Sequence, residues 1–230
     1  MSQFLYLHGS GHTSDAFAAQ TAAFAGSRSL ALPGHPDGEP LRTVDELAAW
    51  VSGEIEQHAG GKAILCGNSL GAAIALQTAL RSPAAVAGLI LIGGGARLRV
   101  GDAVFEMIDT RWPECIDDLV ALSVDVSCPQ ETRDRLRTMH LVTGQESTRV
   151  DYAACNAFDI MDRIGEIKQP TLIIVGASDR MTPLKYSQFL HDRIAGSRLA
   201  VVASSGHVPH LERPADVNAA IVDWTKERNV

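Results

Sequence analysis

Three stretches, far apart in the chain, carry the residue types that nucleophilic attack on a carbonyl carbon needs. The first is Gly67-Asn68-Ser69-Leu70-Gly71. A serine with glycine two residues away on either side suits a very tight strand-to-helix turn, because that turn forces the two flanking positions together. It holds the serine backbone in a strained conformation that exposes the hydroxyl. The helix that follows points its N-terminus at the site, which makes the Leu70 backbone N–H a donor for an oxyanion. A serine hydroxyl is a weak nucleophile until a base takes its proton, and the base must itself be oriented by a third group.

Candidates for those two groups follow later strands. Asp179 lies in Val175-Gly176-Ala177-Ser178-Asp179, just after an apolar run. Groups that act on a ligand in an open α/β sheet belong at such strand C-termini. His207 lies in Ser204-Ser205-Gly206-His207, at the matching exit of the next strand. His210 is the rival base, three residues further on; His207 is favoured because it stands directly after Gly206 in the exit loop. A second oxyanion donor is expected from His8-Gly9-Ser10-Gly11, after the first strand. Its Ser10 N–H is the best placed, and Gly9 allows close approach. His8 is expected to shape that loop and not to act as the base.

The elements that must position these residues alternate along the chain. Strands are predicted at Phe4–Leu7, Ser29–Leu32, Ala63–Cys66, Val86–Ile92, Thr171–Val175 and Leu199–Val202. Helices are predicted over Thr43–His58, from about Leu70 to Leu80, after Pro183, and from about Pro214 to Lys226. The first has Val44, Leu47, Ala48, Val51 and Ile55 on one face and a Thr43/Glu46 capping box. Apolar strands between helices predict a parallel sheet covered on both faces. From Ala96 to Asn156 the alternation stops and the spacing is helical throughout. The expected organisation is thus a core over residues 1–95, a helical cap over 96–156, and the rest of the core over 157–230.

Composition narrows the function classes. With 230 residues, 46% of them hydrophobic, the chain can bury one sizeable core with a small insertion. A formal net charge of -7 argues against nucleic acid or an anionic membrane as partner. No basic segment precedes an apolar stretch at the N-terminus, so a soluble, cytoplasmic protein is expected. Cys66, Cys115, Cys128 and Cys155 form no CxxC pair and have no histidine at zinc-ligand spacing; buried reduced thiols are expected. No metal or organic cofactor is required by the chemistry above.

At this point the chain resembles the α/β-hydrolase superfamily, in particular its small capped members. The resemblance rests on the His8-Gly9 loop, Leu32-Pro33-Gly34-His35, the Gly67–Gly71 turn, Pro170 to Gly176 leading to Asp179, and Gly206-His207 with His210-Leu211-Glu212-Arg213-Pro214. It covers nearly the whole chain, and the order Ser69, Asp179, His207 is that of the fold. It implies a mostly parallel sheet flanked by helices, shortened at its N-terminal edge, because relatives usually carry one or two strands before the His-Gly loop. Pro36 stands where relatives often have glycine. Ser69 disfavours the related dehalogenases and epoxide hydrolases, which use aspartate as nucleophile.

The resemblance implies carboxylesterase, enol-lactonase or carbon–carbon bond hydrolase activity, and a carboxylesterase acting on small to medium hydrophobic acyl esters is the leading expectation. The alternatives are a carbon–carbon bond hydrolase or enol-lactonase with the same triad, and, in a different class, a ligand receptor built on a hydrolase fold. The first alternative binds an anionic substrate and favours a buried arginine near the site, with Arg97, Arg99, Arg111 and Arg180 as candidates. The cap is expected to set the substrate. Phe105, Ile108, Trp112 and Leu119 are the expected substrate-binding wall, with Met107 and Leu122 beside them, although apolar helical spacing more often reports packing within the cap. A monomer or homodimer is expected.

Overall fold

Along each central strand, successive side chains enter two different cores. The computed structural model describes residues 3–228. Among these, β1 (Gln3–Leu7), β2 (Arg28–Leu30), β3 (Ala63–Asn68), β4 (Val86–Ile92), β5 (Thr171–Gly176) and β6 (Arg198–Val202) form one sheet in the order β2-β1-β3-β4-β5-β6. Every pairing is parallel. Parallel neighbours need crossover connections, and helices supply most of them.

Before β4 these are α1 (Ala18–Ala23), α2 (Val44–His58) and α3 (Leu70–Arg81). α4 (Asp102–Thr110), α5 (Cys115–Ser123), α6 (Gln130–Thr143) and α7 (Gln145–Ala157) lie between β4 and β5. α8 (Leu184–Arg193), α9 (Pro209–Glu212) and α10 (Pro214–Arg228) complete the chain. Leu5, Leu7, Leu65, Leu89, Leu91 and Ile173 face one core, which the apolar faces of α2, α3 and α8 close. Tyr6, Ile64, Cys66, Ile90, Leu172 and Ile174 face the other, closed by Phe17 and by Val217, Ile221 and Trp224 of α10.

α2 starts where its capping box places it: Thr43 Oγ1 accepts from Glu46 N–H at 3.1 Å, and the Glu46 carboxylate accepts from Thr43 N–H at 2.9 Å. Its buried residues are the predicted five. β2 is shorter than expected. Leu32 leaves the sheet because its N–H donates to His8 Nε2 at 3.2 Å. The helical segment from Ser14 through α1 was not expected from the sequence.

The helices α4 to α7 do not form an isolated body. Ile116, Val120, Leu136 and Met139 join the second core, while Ile108, Cys115, Leu119 and Tyr152 make a smaller cluster of their own. All four cysteines are buried and unpaired. Burial pushes the Cys155 thiol up to about 12, which keeps it protonated and inert at neutral pH. Among the described residues, no helix is long and apolar enough to cross a membrane.

Candidate active site

The turn between β3 and α3 has the geometry its glycines imply. Ser69 sits at φ 55, ψ -113, a left-handed conformation that costs a non-glycine residue energy. A Cβ on Gly67 would run into the Gly71 carbonyl, and a Cβ on Gly71 would run into the Leu7 carbonyl of β1. The turn is fixed by Ser69 N–H donating to Ile92 O at 2.9 Å, and the Ser69 carbonyl starts α3 by accepting from Ala72 and Ala73 N–H.

Asp179 and His207 meet beside it. His207 Nδ1 lies 2.9 Å from Asp179 Oδ2, with both side chains buried. Asp179 Oδ1 accepts from the N–H groups of Met181 and Thr182 at 2.9 and 2.8 Å. Burial alone would raise the Asp179 pKa. The charge and hydrogen bond of His207, with the Thr182 donors, outweigh that and hold the carboxyl below its usual range. The carboxylate therefore accepts from Nδ1–H and leaves Nε2 as the basic nitrogen. Nε2 makes no hydrogen bond among the described residues, and Ser69 and His207 line the same cavity. A hydroxyl not yet engaged by its base is common in sites without substrate.

Sequence reasoning missed the residues that hold His207 in place. Asn68, within the glycine-flanked turn, donates from Nδ2 to the His207 carbonyl at 3.0 Å. His207 N–H donates to Ser123 O at the end of α5, at 2.6 Å. Glu212 accepts from Gly206 N–H at 2.7 Å and from Asp125 N–H at 2.8 Å, which ties the histidine loop to the inserted helices. The Thr182 hydroxyl lies 2.9 Å from both Asp179 Oδ2 and Gly93 O, and its single proton serves one of them at a time. Glu212 was visible in the sequence only as part of the His210–Pro214 motif; Thr182 gave no signal at all.

The rival base His210 does not line the cavity that holds Ser69. Its ring stacks on Phe17 at 4.5 Å, and neither nitrogen has a polar partner among the described residues. Burial, reinforced by His207, pushes it down to about 3, so it is neutral at pH 7. His8 is also neutral: burial, with the nearby charge of His35, takes it down to about 3. Its Nδ1 lies 3.0 Å from Gly9 O, and its Nε2 accepts from Leu32, so it braces two loops.

The candidate oxyanion loop is tied to the insertion. Gly11, at φ 68, donates its N–H to Asp151 Oδ2 of α7 at 2.8 Å. The same oxygen lies 2.9 Å from His35 Nε2. The other His35 nitrogen faces the Leu32 and Pro33 carbonyls, which can only accept. Both nitrogens therefore carry protons. Burial opposes that charge, but the hydrogen bond and charge of Asp151 outweigh it and raise the His35 pKa. The Ser10 and Leu70 N–H groups meet no protein acceptor among the described residues.

Ser10, Ser69 and His207 share a cavity of about 230 Å³ whose apolar wall includes Leu98, Val100, Val104, Leu122 and Met181. Phe105, Ile108, Trp112 and Leu119, the expected wall, are not among its lining residues. Ile108 and Leu119 form the cluster with Cys115 and Tyr152, and Phe105 and Trp112 pack against that cluster. Their helical spacing reported the packing of the inserted helices among themselves.

The profile of the alpha/beta hydrolase family matches residues 4–220. The chain belongs to that family. Its sheet order and Ser–Asp–His chain order agree with the match. This hydrolase is 29% identical over 223 residues to the pimeloyl-[acyl-carrier protein] methyl ester esterase of Aromatoleum aromaticum, a match covering 85% of this chain and 86% of that one. A thermophilic esterase of known structure superposes with a TM-score of 0.90 at 31% identity, over 99% of this chain and 90% of the other. The enol-lactonase of Burkholderia xenovorans LB400 superposes with a TM-score of 0.88 at 21% identity, over 98% and 92%, a likeness of fold alone. This alpha/beta hydrolase is an enzyme of the carboxylesterase type.

Proposed function

We propose that this hydrolase cleaves carboxylic esters of small to medium, largely hydrophobic acyl groups through an acyl-enzyme on Ser69. The observation that carries the reading is the 2.9 Å contact between His207 Nδ1 and Asp179 Oδ2 beside a strained serine in the same cavity. Ser69 Oγ attacks the carbonyl carbon while His207 Nε2 takes its proton. The oxyanion is held by the Ser10 and Leu70 N–H groups. As the tetrahedral intermediate collapses, the C–O bond to the alcohol breaks and His207 returns the proton to the leaving oxygen. Water then enters, gives a proton to His207 and attacks the acyl carbon; Ser69 leaves with that proton and the acid is released. Asp179 keeps the imidazole in one tautomer and stabilises its charged form.

The size of the cavity supports short acyl groups, since about 230 Å³ lies below the usual range for sites that enclose drug-sized ligands. The inserted helices contribute Val104, Leu122, Tyr152 and Cys155 to its lining, which supports their role as a cap.

The test is labelling with a tagged fluorophosphonate followed by peptide mapping, alongside turnover of p-nitrophenyl butyrate. The label is expected on Ser69, and Ser69→Ala is expected to lose turnover on the order of 10⁴-fold or more while remaining folded. Activity of Ser69→Ala within tenfold of wild type would remove Ser69 from its role. Release limited to a single slow equivalent of nitrophenol would mark a ligand receptor instead.

A further inference from the structure

Four arginines were candidates to recognise an anionic substrate, and the structure divides them. Arg97 and Arg111 are engaged by carboxylates: Arg97 lies 3.6 Å from Asp159 and Arg111 lies 2.9 Å from Asp118. Arg99 and Arg180 instead line the cavity that holds Ser69 and His207. Among the described residues they are the only arginine or lysine side chains on its wall, and no aspartate or glutamate joins them there. Arg99, on the segment between β4 and α4, has no hydrogen bond or ion pair among the described residues. Arg180, beside Asp179, has no carboxylate partner among them either; its guanidinium donates to the Ala121 carbonyl of α5, which fixes the head while leaving other N–H donors for a ligand.

This placement runs against the charge of the molecule. The chain is acidic, with a net charge of -7, and Arg81, Arg137, Arg149, Arg163 and Arg198 are also paired with carboxylates. Two unneutralised guanidinium groups at one apolar cavity create a local positive field that attracts an anion and orients it. A guanidinium suits a carboxylate because its planar fork matches the two oxygens. With one end of the substrate held at Ser69 and a charge favoured at the rim, the cavity fits a molecule with two unlike ends.

We infer that Arg99 and Arg180 form an anion subsite that selects hemi-esters of short dicarboxylic acids, with the scissile ester at Ser69 and the free carboxylate at the two guanidinium groups. The inference rests on the esterase reading above and names its substrate class.

The experiment compares monoethyl glutarate with ethyl valerate, which has a methyl group where the other has a carboxylate. The readout is the ratio of their kcat/KM values in wild type, Arg99→Gln, Arg99→Lys and the Arg99→Gln/Arg180→Gln double variant. Wild type is expected to favour the hemi-ester, and the ratio is expected to fall on the order of tenfold in the double variant, mainly through the hemi-ester KM. Arg99→Lys is expected to retain more of the preference than Arg99→Gln. Raising the salt concentration is expected to erode the wild-type ratio, as for any partly exposed charge pair; this arm needs no variant to fold. A wild-type ratio that favours the neutral ester, or one that neither salt nor the glutamine variants change, would overturn the subsite. Ser69-dependent hydrolysis of ethyl valerate would then still stand. Hydrolysis of both esters by Ser69→Ala would instead overturn the acyl-enzyme on Ser69.

Discussion

Gly11 in the loop after β1 and Asp151 on α7 are joined by a 2.8 Å hydrogen bond that runs from the core to the inserted helices. It stands one residue from Ser10, whose N–H is proposed to hold the oxyanion. Misplacing such a donor by a fraction of an ångström weakens transition-state binding more than substrate binding. Asp151→Ala is therefore expected to lower kcat on the order of tenfold or more, with a smaller change in KM. Asp151→Asn keeps an oxygen for Gly11 N–H and is expected to recover most of kcat. Steady-state kinetics on p-nitrophenyl butyrate decide the matter; equal losses in both variants would mean that the Gly11 bond is not what counts.

The same carboxylate couples stability to pH through His35. The pKa of His35 is raised in the folded chain above its ordinary 6.5. Folding thus favours the protonated ring. The stabilisation is complete below the unfolded value and disappears as pH rises through the folded one. Wild type is expected to exceed His35→Gln in thermal midpoint by the largest margin below about pH 6.5, and by a shrinking margin above it. Melting curves of both proteins from about pH 5.5 to 9 measure this; a margin that widens with pH would contradict the sign.

Asp179→Asn is expected to lose on the order of 10³-fold or more in kcat. An amide can donate to Nδ1 and so stabilise the tautomer whose proton sits on Nε2, facing the serine. The fold should hold, because the amide oxygen of the variant can still accept from Met181 and Thr182 N–H, as the Asp179 carboxylate does. A normal rate in a folded variant would point to another acid.

Gly71→Ala is expected to destabilise by about 2–3 kcal/mol, because the added methyl group meets backbone carbonyls of Leu7 and His8 that cannot move aside without breaking the sheet. Gly53→Ala is the control. It lies within α2 with nothing within 4 Å of an added Cβ, and is expected to stabilise by about 0.5–1 kcal/mol through helix propensity alone. Chemical denaturation reports both, and a neutral Gly71→Ala would show a turn looser than its geometry indicates.

The central strands were legible in the sequence because β3, β4 and β5 are buried on both faces, which leaves a near-continuous apolar signature. α2 was legible because its cap is local, made by residues three apart. The tight turn at Ser69 was legible for the same reason, its two glycines being a short-range steric requirement. Asp151, Asn68 and Glu212 were not read as site residues, since each acts across more than 80 residues or between elements whose approach only the fold determines, apart from the short link from Glu212 to Gly206. The cavity lining was hidden for a related reason. Phe105 and Val104 are neighbours on one helix, and nothing in their types says which faces Ser69.

The bond from His207 N–H to Ser123 O has a mechanical corollary. If α5 swung outward to admit a molecule, it would pull on the imidazole loop and draw the ring away from Asp179. Gaping on that side and proton transfer are incompatible at the same instant. Arg99, Val100 and Gly101, ahead of α4, line the same cavity with no hydrogen bond to the histidine loop among the described residues, so a shift of that segment would leave the base in place.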